Sequence, residues 1–523
     1  MKKRELLTYI LLLTTLGGLQ AQTPVPRLVV SLTVDQLRSD YMENFSALYS
    51  DNGFKRLMRD GRFYTYAQYD FRKPDRASAI ASLQTGTTPS VHGIVGQEWF
   101  NTATLKVRHC VDDPDFIGFY TSDSSSAAQM LTSTIGDELK IQTNGKSMVY
   151  AIAPFRDASI LSAGHAADCA LWLDEATGKW CSTTYYSEFP QWVSRYNEQQ
   201  SPALTLRKLE WTPYMPVEYY RYLPGTQQTA FSNTLTSDRM DLFRQYCTTP
   251  MVNDEINRLV EELFNNSSLG QDLSTDYLAL TYYAGGFKHH TGPEYSLEVQ
   301  DTYLRIDRSL ANLFDLLERK VGMKNVLFCL SSTGYNDLQA TEPKRFRIPT
   351  GEFYLNRCAA LLNVYLMATY GDGQYIEGYH NQQIYLNHRL LEEKQINLTD
   401  IQDKAAEFLS QFSGVSDVYS TNRLLTGSLN AEHEQVRCSL YPSRSGDLLV
   451  DVQPGWLLVN DNDATQNTVV NKAVVPTPFI LLGTGINPGI ERSPVSARCI
   501  APTLAGAIHI RAPNASEASS LDF

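Results

Sequence analysis

The chain has 523 residues, 43% hydrophobic and 20% charged, with a formal net charge of -12. That is ordinary globular composition and long enough for a large core. Excess acid with no long basic run to offset it excludes nucleic acid as the expected partner.

In chain order, Lys2, Lys3 and Arg4 precede an apolar stretch from Leu6 to Leu16, and small residues follow from Gly17 to Ala21. This predicts a signal peptide over residues 1–21, cleaved after Ala21, with a mature chain of 22–523. A membrane anchor needs about 20 apolar residues, more than this run supplies. No cysteine lies near the cleavage point, which argues against a lipid anchor, and no later segment reads as a membrane span. A periplasmic or secreted protein is expected.

Arg27 to Asp35 reads RLVVSLTVD, an apolar run without alternation that ends in an acid. Such a run predicts a strand covered on both faces, as in a parallel sheet. Its acid falls at the carboxyl edge, where α/β proteins bind ligands. A helix is predicted over Phe54–Asp60, stopped by Gly61, and another over Ala77–Gln84, before a Thr-Gly-Thr-Thr-Pro turn into Val91–Gly96. Ser147–Ala153 and Tyr277–Tyr283 read as buried strands, Leu297–Arg319 as a long amphipathic helix, and Asn325–Leu330 as a strand. Strand, helix, strand in that order predicts right-handed crossovers and a mostly parallel sheet between helix layers.

Two stretches break the rhythm. Residues 180–273, rich in Tyr, Trp and Pro, read as a cap-like insertion over the ligand edge. Residues 347–425 read as a small α+β subdomain, with LNVYLMATYG and GQYIEGYHNQQIYLN as strands and DIQDKAAEFLSQF as a helix. The main sheet is then expected to resume with Asp447–Val452 and Phe479–Leu482, and APTLAGAIHI to close the chain as a helix.

The chain has 8 cysteines. Cys169 and Cys181 bracket LWLDEATGKW, a hairpin pattern that brings them near one another and leaves their pairing open. Cys110, Cys247, Cys329, Cys358, Cys438 and Cys499 show no CxxC spacing, so no structural zinc site is expected. His92 and His165 read as structural. Asp112, Asp113 and Asp115 read as a solvated loop, because the later glutamate of a calcium loop is missing. The 30 tyrosines suit an adaptable binding surface or plain packing.

VVSLTVDQLRSDY, GFKRLMRDG, SLQTGTTPSVHGIVG, ILSAGHAADCALWLD followed by KWCSTTYY, FRIPTGEFYLN, RSGDLLVDVQPGW and APTLAGAIHI occur in this order. Together they resemble the alkaline phosphatase superfamily, in its bacterial type I phosphodiesterase/nucleotide pyrophosphatase-like branch that includes periplasmic phosphomonoesterases. The resemblance implies two zinc ions about 4 Å apart, one activating a Thr or Ser nucleophile. It places Asp35 as the first ligand and Arg76, preceded by Asp75, at the nucleophile. A guanidinium has no lone pair with which to attack phosphorus; Ser78 would serve only with a slipped alignment. Gly285 stands at an acid ligand and His289 at a histidine ligand. Ser332-Thr333 replaces an Asp-His pair, and Pro476 replaces the last histidine.

Asp35 and His289 thus match, in different metal sites, whereas a catalytic zinc keeps three protein ligands. In the phosphate clamp, Gln97 stands for an Asn, and Phe155-Arg156-Asp157 for Lys-x-Arg. Lys288, His289 and His290 form a basic group that reads as a solvated loop. We expect Arg76 to take the place of the missing cation by pairing with Asp35. The expected function is a catalytically impaired or inactive member with a binding or assembly role in the cell envelope, its ligand or partner protein unknown, and no cofactor. The alternative is an active phosphoester or sulfate-ester hydrolase with zinc held by rearranged ligands such as Asp75, Asp157, His289 or His290. A third reading is a scaffold whose insertions bind a protein partner.

Overall fold

The structure is a computed structural model, and it describes residues 25–522 apart from 187, 224–228, 237–240, 288–295, 337–348, 428–429, 461–466 and 473. The expected signal peptide and its cleavage point after Ala21 lie outside the described residues, as do Lys288, His289 and His290. Among the described residues no helix is long and apolar enough to cross a membrane.

The run from Leu28 to Asp35 forms a strand in which every residue is buried. It lies between parallel strands Asp276–Tyr283 and Val326–Ser332. Val149–Ala153 and Cys169–Leu173 extend the parallel region on one side. Antiparallel Thr477–Gly483 and Arg62–Gln68 extend it on the other. The result is an 11-stranded, mostly parallel sheet covered by helices, which include Arg76–Thr85, Arg156–Ala163, Val252–Asn266 and Ser296–Lys320. Burial on both faces explains the unbroken apolar runs of the central strands.

The small unit differs from expectation in two places. Residues Leu355–Tyr370, whose second half was expected to be a strand, form a helix. Cys358, Ala359, Leu362 and Leu366 are its buried residues, a helical spacing that leaves Leu361 and Val364 exposed; one buried face is what a helix needs. Leu448–Val452 does not rejoin the main sheet but pairs with Gln383–Leu386 and Val415–Ser420. The small unit therefore runs past residue 425 and has its own apolar core around Leu362, Ile384, Ile401 and Val450.

The stretch 180–273 is not one cap. Trp180–Thr183 is a strand of the main sheet, and Val252–Asn266 packs on the long helix, with Asn257 Nδ2 donating to the Ser309 carbonyl at 2.8 Å. Between them, a hairpin of Lys208–Trp211 and Asn233–Thr236 is tied to the long helix by Trp211 Nε1 donating to Asp301 at 2.6 Å. Cys169 and Cys181 are both free thiols. The hairpin register sets Cys181 opposite Trp172 instead, so no disulfide can close there.

Candidate functional site

The carboxyl ends of the parallel strands bring Asp35, Tyr283 and Ser332 to one edge of the sheet. Gln36, just beyond Asp35, has a left-handed backbone with φ of 66°, uncommon for a side chain of this size. Its N–H donates to Thr333 Oγ1 at 2.9 Å and its carbonyl accepts from Asn336 Nδ2 at 2.9 Å. These bonds fix the turn that aims Asp35. Thr333 Oγ1 then donates to Asp35 Oδ1 at 2.8 Å, and the Tyr335 hydroxyl to Oδ2 at 3.3 Å.

Asp75 caps the helix Arg76–Thr85. Its Oδ1 accepts from the Ser78 N–H at 2.9 Å and from Ser78 Oγ at 2.7 Å, and Ser78 Oγ accepts from the Asp75 N–H at 3.0 Å. This capping box holds Ser78, 1% exposed, away from any role as a displaced nucleophile. Asp75 Oδ2 accepts from the Gln97 N–H at 2.6 Å. Burial pushes the Asp75 carboxyl up against those bonds, and repulsion from Asp157 pushes the same way.

Arg76 is where the structure departs most from expectation. Its Nε donates to Asp157 Oδ1 at 3.0 Å and Oδ2 at 3.1 Å. Its Nη1 reaches Asp35 only to 3.7 Å, an ion pair longer than a hydrogen bond. Asp157 is therefore the main partner and Asp35 the subsidiary one. The reason is position: Asp157 sits in the first turn of helix Arg156–Ala163, level with the guanidinium. Gln97 Nε2 adds a bond to Asp157 Oδ2 at 3.0 Å. Phe155 stacks on the other side of Arg76, with ring centroid 3.8 Å from Cζ, a cation–π contact. Burial would raise the Asp157 carboxyl, but Arg76, His109 and Gln97 hold it down to about 2. Arg76 itself is raised by Asp157 and Asp35 against the opposing effect of burial.

Arg156, also expected in the cleft, turns away to Asp112 at 3.0 Å, Asp123 at 3.5 Å and Ser125 Oγ at 3.1 Å. Asp112 is thereby held by a protein cation. His92 is structural: its Nδ1 accepts from the Ile94 N–H at 3.1 Å, so Nε2 carries the proton and donates to Ser82 Oγ at 2.9 Å. Burial and then Arg444 push it down to about 3. His165 bonds Tyr185 and the Thr132 carbonyl.

Among the described residues the donor set fits two zinc ions poorly. A Cβ on Gly285 would meet Tyr283 Oη at 2.5 Å and Gln36 Cδ at 2.8 Å, so an acid ligand there would require both side chains to shift. Thr333 is committed between Gln36 and Asp35. Ser332 Oγ donates to the Leu37 carbonyl at 2.8 Å, and Pro476 contributes its carbonyl to the Ser39 N–H. Among the described residues no group of three or more His, Cys, Asp or Glu is placed to hold a metal ion. Tyr335 and the steric block at Gly285 were missed from sequence; only the closeness of Tyr335 to Ser332-Thr333 pointed to the first.

A family model described as type I phosphodiesterase / nucleotide pyrophosphatase matches residues 29–473. The chain belongs to this family. Within the type I phosphodiesterase / nucleotide pyrophosphatase family, alkaline phosphatase PafA of Elizabethkingia meningoseptica is 30% identical over 540 residues, covering 98% of this chain and 97% of the relative. A Myroides odoratus protein named calcium-transporting ATPase is 28% identical, covering 94% and 93%. Alkaline phosphatase PhoV of Synechococcus elongatus is 27% identical, covering 94% and 91%. The crystal structure of wild-type PafA superposes with a TM-score of 0.82 at 28% identity, covering 96% of this chain and 99% of that one. The mostly parallel α/β fold is therefore that of an alkaline phosphatase. The names PafA and PhoV favour the hydrolase alternative over the impaired-enzyme expectation.

Proposed function

We propose that this exported family member keeps the phosphoesterase cleft but does not run two-zinc hydrolysis in it, and acts in the cell envelope by binding. The observation that carries this is Arg76, hydrogen-bonded to Asp157 where the resemblance places nucleophile and clamp. One guanidinium faces both Asp157 and Asp35 at ion-pair distance. Arg76 is thus shared between two carboxylates, and a phosphoryl dianion brought to it competes with Asp157, its hydrogen-bonded partner, in a desolvated setting.

The second reading is a working phosphoester hydrolase with rearranged ligands, and it is the one the relatives' names favour. It needs donors from Asp75, Asp157, His289 or His290. The bonds of Asp75 to Ser78 and Gln97, and of Asp157 to Arg76 and Gln97, weigh against the first pair.

Turnover of an aryl phosphate and an aryl sulfate by the mature protein, with zinc and with a chelator, separates the two. The binding reading predicts no turnover above a heat-treated control, and predicts that Asp35→Asn lowers stability by ~2 kcal/mol by weakening the charge-assisted hydrogen bonds from Thr333 and Tyr335. Zinc-dependent turnover that Asp35→Asn abolishes would establish the hydrolase instead.

A further inference from the structure

We propose that a second site, separate from the Arg76 cleft, binds hydrogen phosphate between the loop before helix Arg76–Thr85 and the small sheet, through Arg72, Lys73, Lys472, Gln382 and Asp451. Three cations meet there on one buried carboxylate. Asp451 Oδ2 takes Arg72 Nη2 at 2.8 Å and Lys472 Nζ at 2.6 Å, and Lys73 Nζ lies 3.6 Å from Oδ1. Glu432, mostly exposed and 3.5 Å from Arg72 Nη1, is the other acid paired with this group among the described residues. Positive charge therefore exceeds negative.

Two polar atoms beside Lys73 are left unsatisfied. Gln382 is 8% exposed; its Oε1 accepts from Lys73 Nζ at 2.5 Å, while its Nε2 has no acceptor among the described residues. Asp451 Oδ1 likewise has no hydrogen-bond donor. Buried groups of this kind are rare and call for a partner. Lys73 and Gln382 both hold left-handed backbones, with φ of 52° and 65°, and their side chains meet in the hydrogen bond between Lys73 Nζ and Gln382 Oε1. Burial, and then the charges of Arg72 and Lys472 against the pull of Asp451, push the Lys73 ammonium down to about 8; an anion beside it would reverse that.

The pair of orphan atoms selects the ligand. An oxyanion needs cations and a donor such as Gln382 Nε2, but it also faces Asp451 Oδ1. Hydrogen phosphate carries a proton at neutral pH and donates it in a hydrogen bond to that oxygen. Sulfate and the dianion of a phosphomonoester have no such proton, and leave a bare lone pair against a carboxylate. Neither orphan atom touches solvent, so entry requires the Lys73 side chain, 38% exposed, to swing outward and close over the anion.

Titration calorimetry of the mature protein at pH 7.5 with inorganic phosphate, and separately with sulfate and glycerol phosphate, tests this. Saturable phosphate binding is expected, with the other two weaker by about tenfold or more, the worth of one charge-assisted hydrogen bond. Lys73→Gln and Lys472→Gln should each weaken phosphate by a similar factor, whereas Lys55→Gln, on a distant helix, should not. Thermal melts confirm that the variants are folded, and phosphate should protect Lys73 from acylation as read by mass spectrometry. Absence of saturable binding, equal affinity for sulfate, or affinity unmoved in the Lys73→Gln and Lys472→Gln variants would overturn the proposal.

Discussion

Arg76→Met is expected to destabilise the folded protein by about 3–5 kcal/mol, the typical cost of removing one partner of a buried ion pair. Arg76 is 12% exposed at its side chain, and its partners Asp157 and Asp35 are 1% and 0% exposed. Methionine keeps much of the contact with Phe155 but removes the guanidinium that both carboxylates face. Asp35 retains Thr333 and Tyr335 as donors, so the larger share of the loss falls on Asp157. Adding Asp157→Leu to Arg76→Met should therefore recover part of the stability, because an apolar pair replaces an unpaired charge. Urea unfolding of wild type, both single variants and the double variant measures the coupling as a cycle. A loss below about 1 kcal/mol for Arg76→Met would show that the pair is solvated.

The second large effect is in acid. The Asp157 carboxyl is held at about 2 in the folded protein, below its ordinary 3.8. A depressed folded value means the carboxylate stabilises the fold above the unfolded value, and that this contribution is lost as pH falls from about 4 toward 2. The shift corresponds to about 2 kcal/mol. Asp75 works in the opposite sense: burial raises its carboxyl, so protonation on acidification relieves a strain and offsets part of the loss. Stability measured between pH 5 and pH 2 should fall less steeply in Asp157→Asn than in wild type. An identical slope in the two proteins would remove Asp157 from the acid response.

The central strands were legible because burial on both faces writes itself into the sequence as unbroken β-branched and apolar runs, as in LVVSLTVD. The helix Leu355–Tyr370 was not, since NVYLM carries strand-forming residues while the deciding fact is the single buried face through Leu362 and Leu366. Leu448–Val452 was legible as a strand, but which sheet it joins depends on partners about 65 and about 30 positions away in chain order. In the cleft, the residue at each family position could be read, as at Arg76 and Asp157. Their pairing could not: it spans 81 positions and turns on how the two helices meet. The acid ending the first strand drew attention to Asp35, whereas the geometry gives the hydrogen bonds of Arg76 to Asp157. The cluster around Asp451 left only Arg72-Lys73 before Pro74 as a local trace.

The central claim, that a guanidinium–carboxylate pair holds the place where the family resemblance puts two zinc ions, is tested most directly by counting zinc. Purified protein produced in zinc-supplemented medium, freed of loosely held metal by gel filtration and measured by plasma mass spectrometry, is predicted to carry well under one zinc per chain. About two tightly held zinc ions per chain, the number the two-metal mechanism requires, would contradict it.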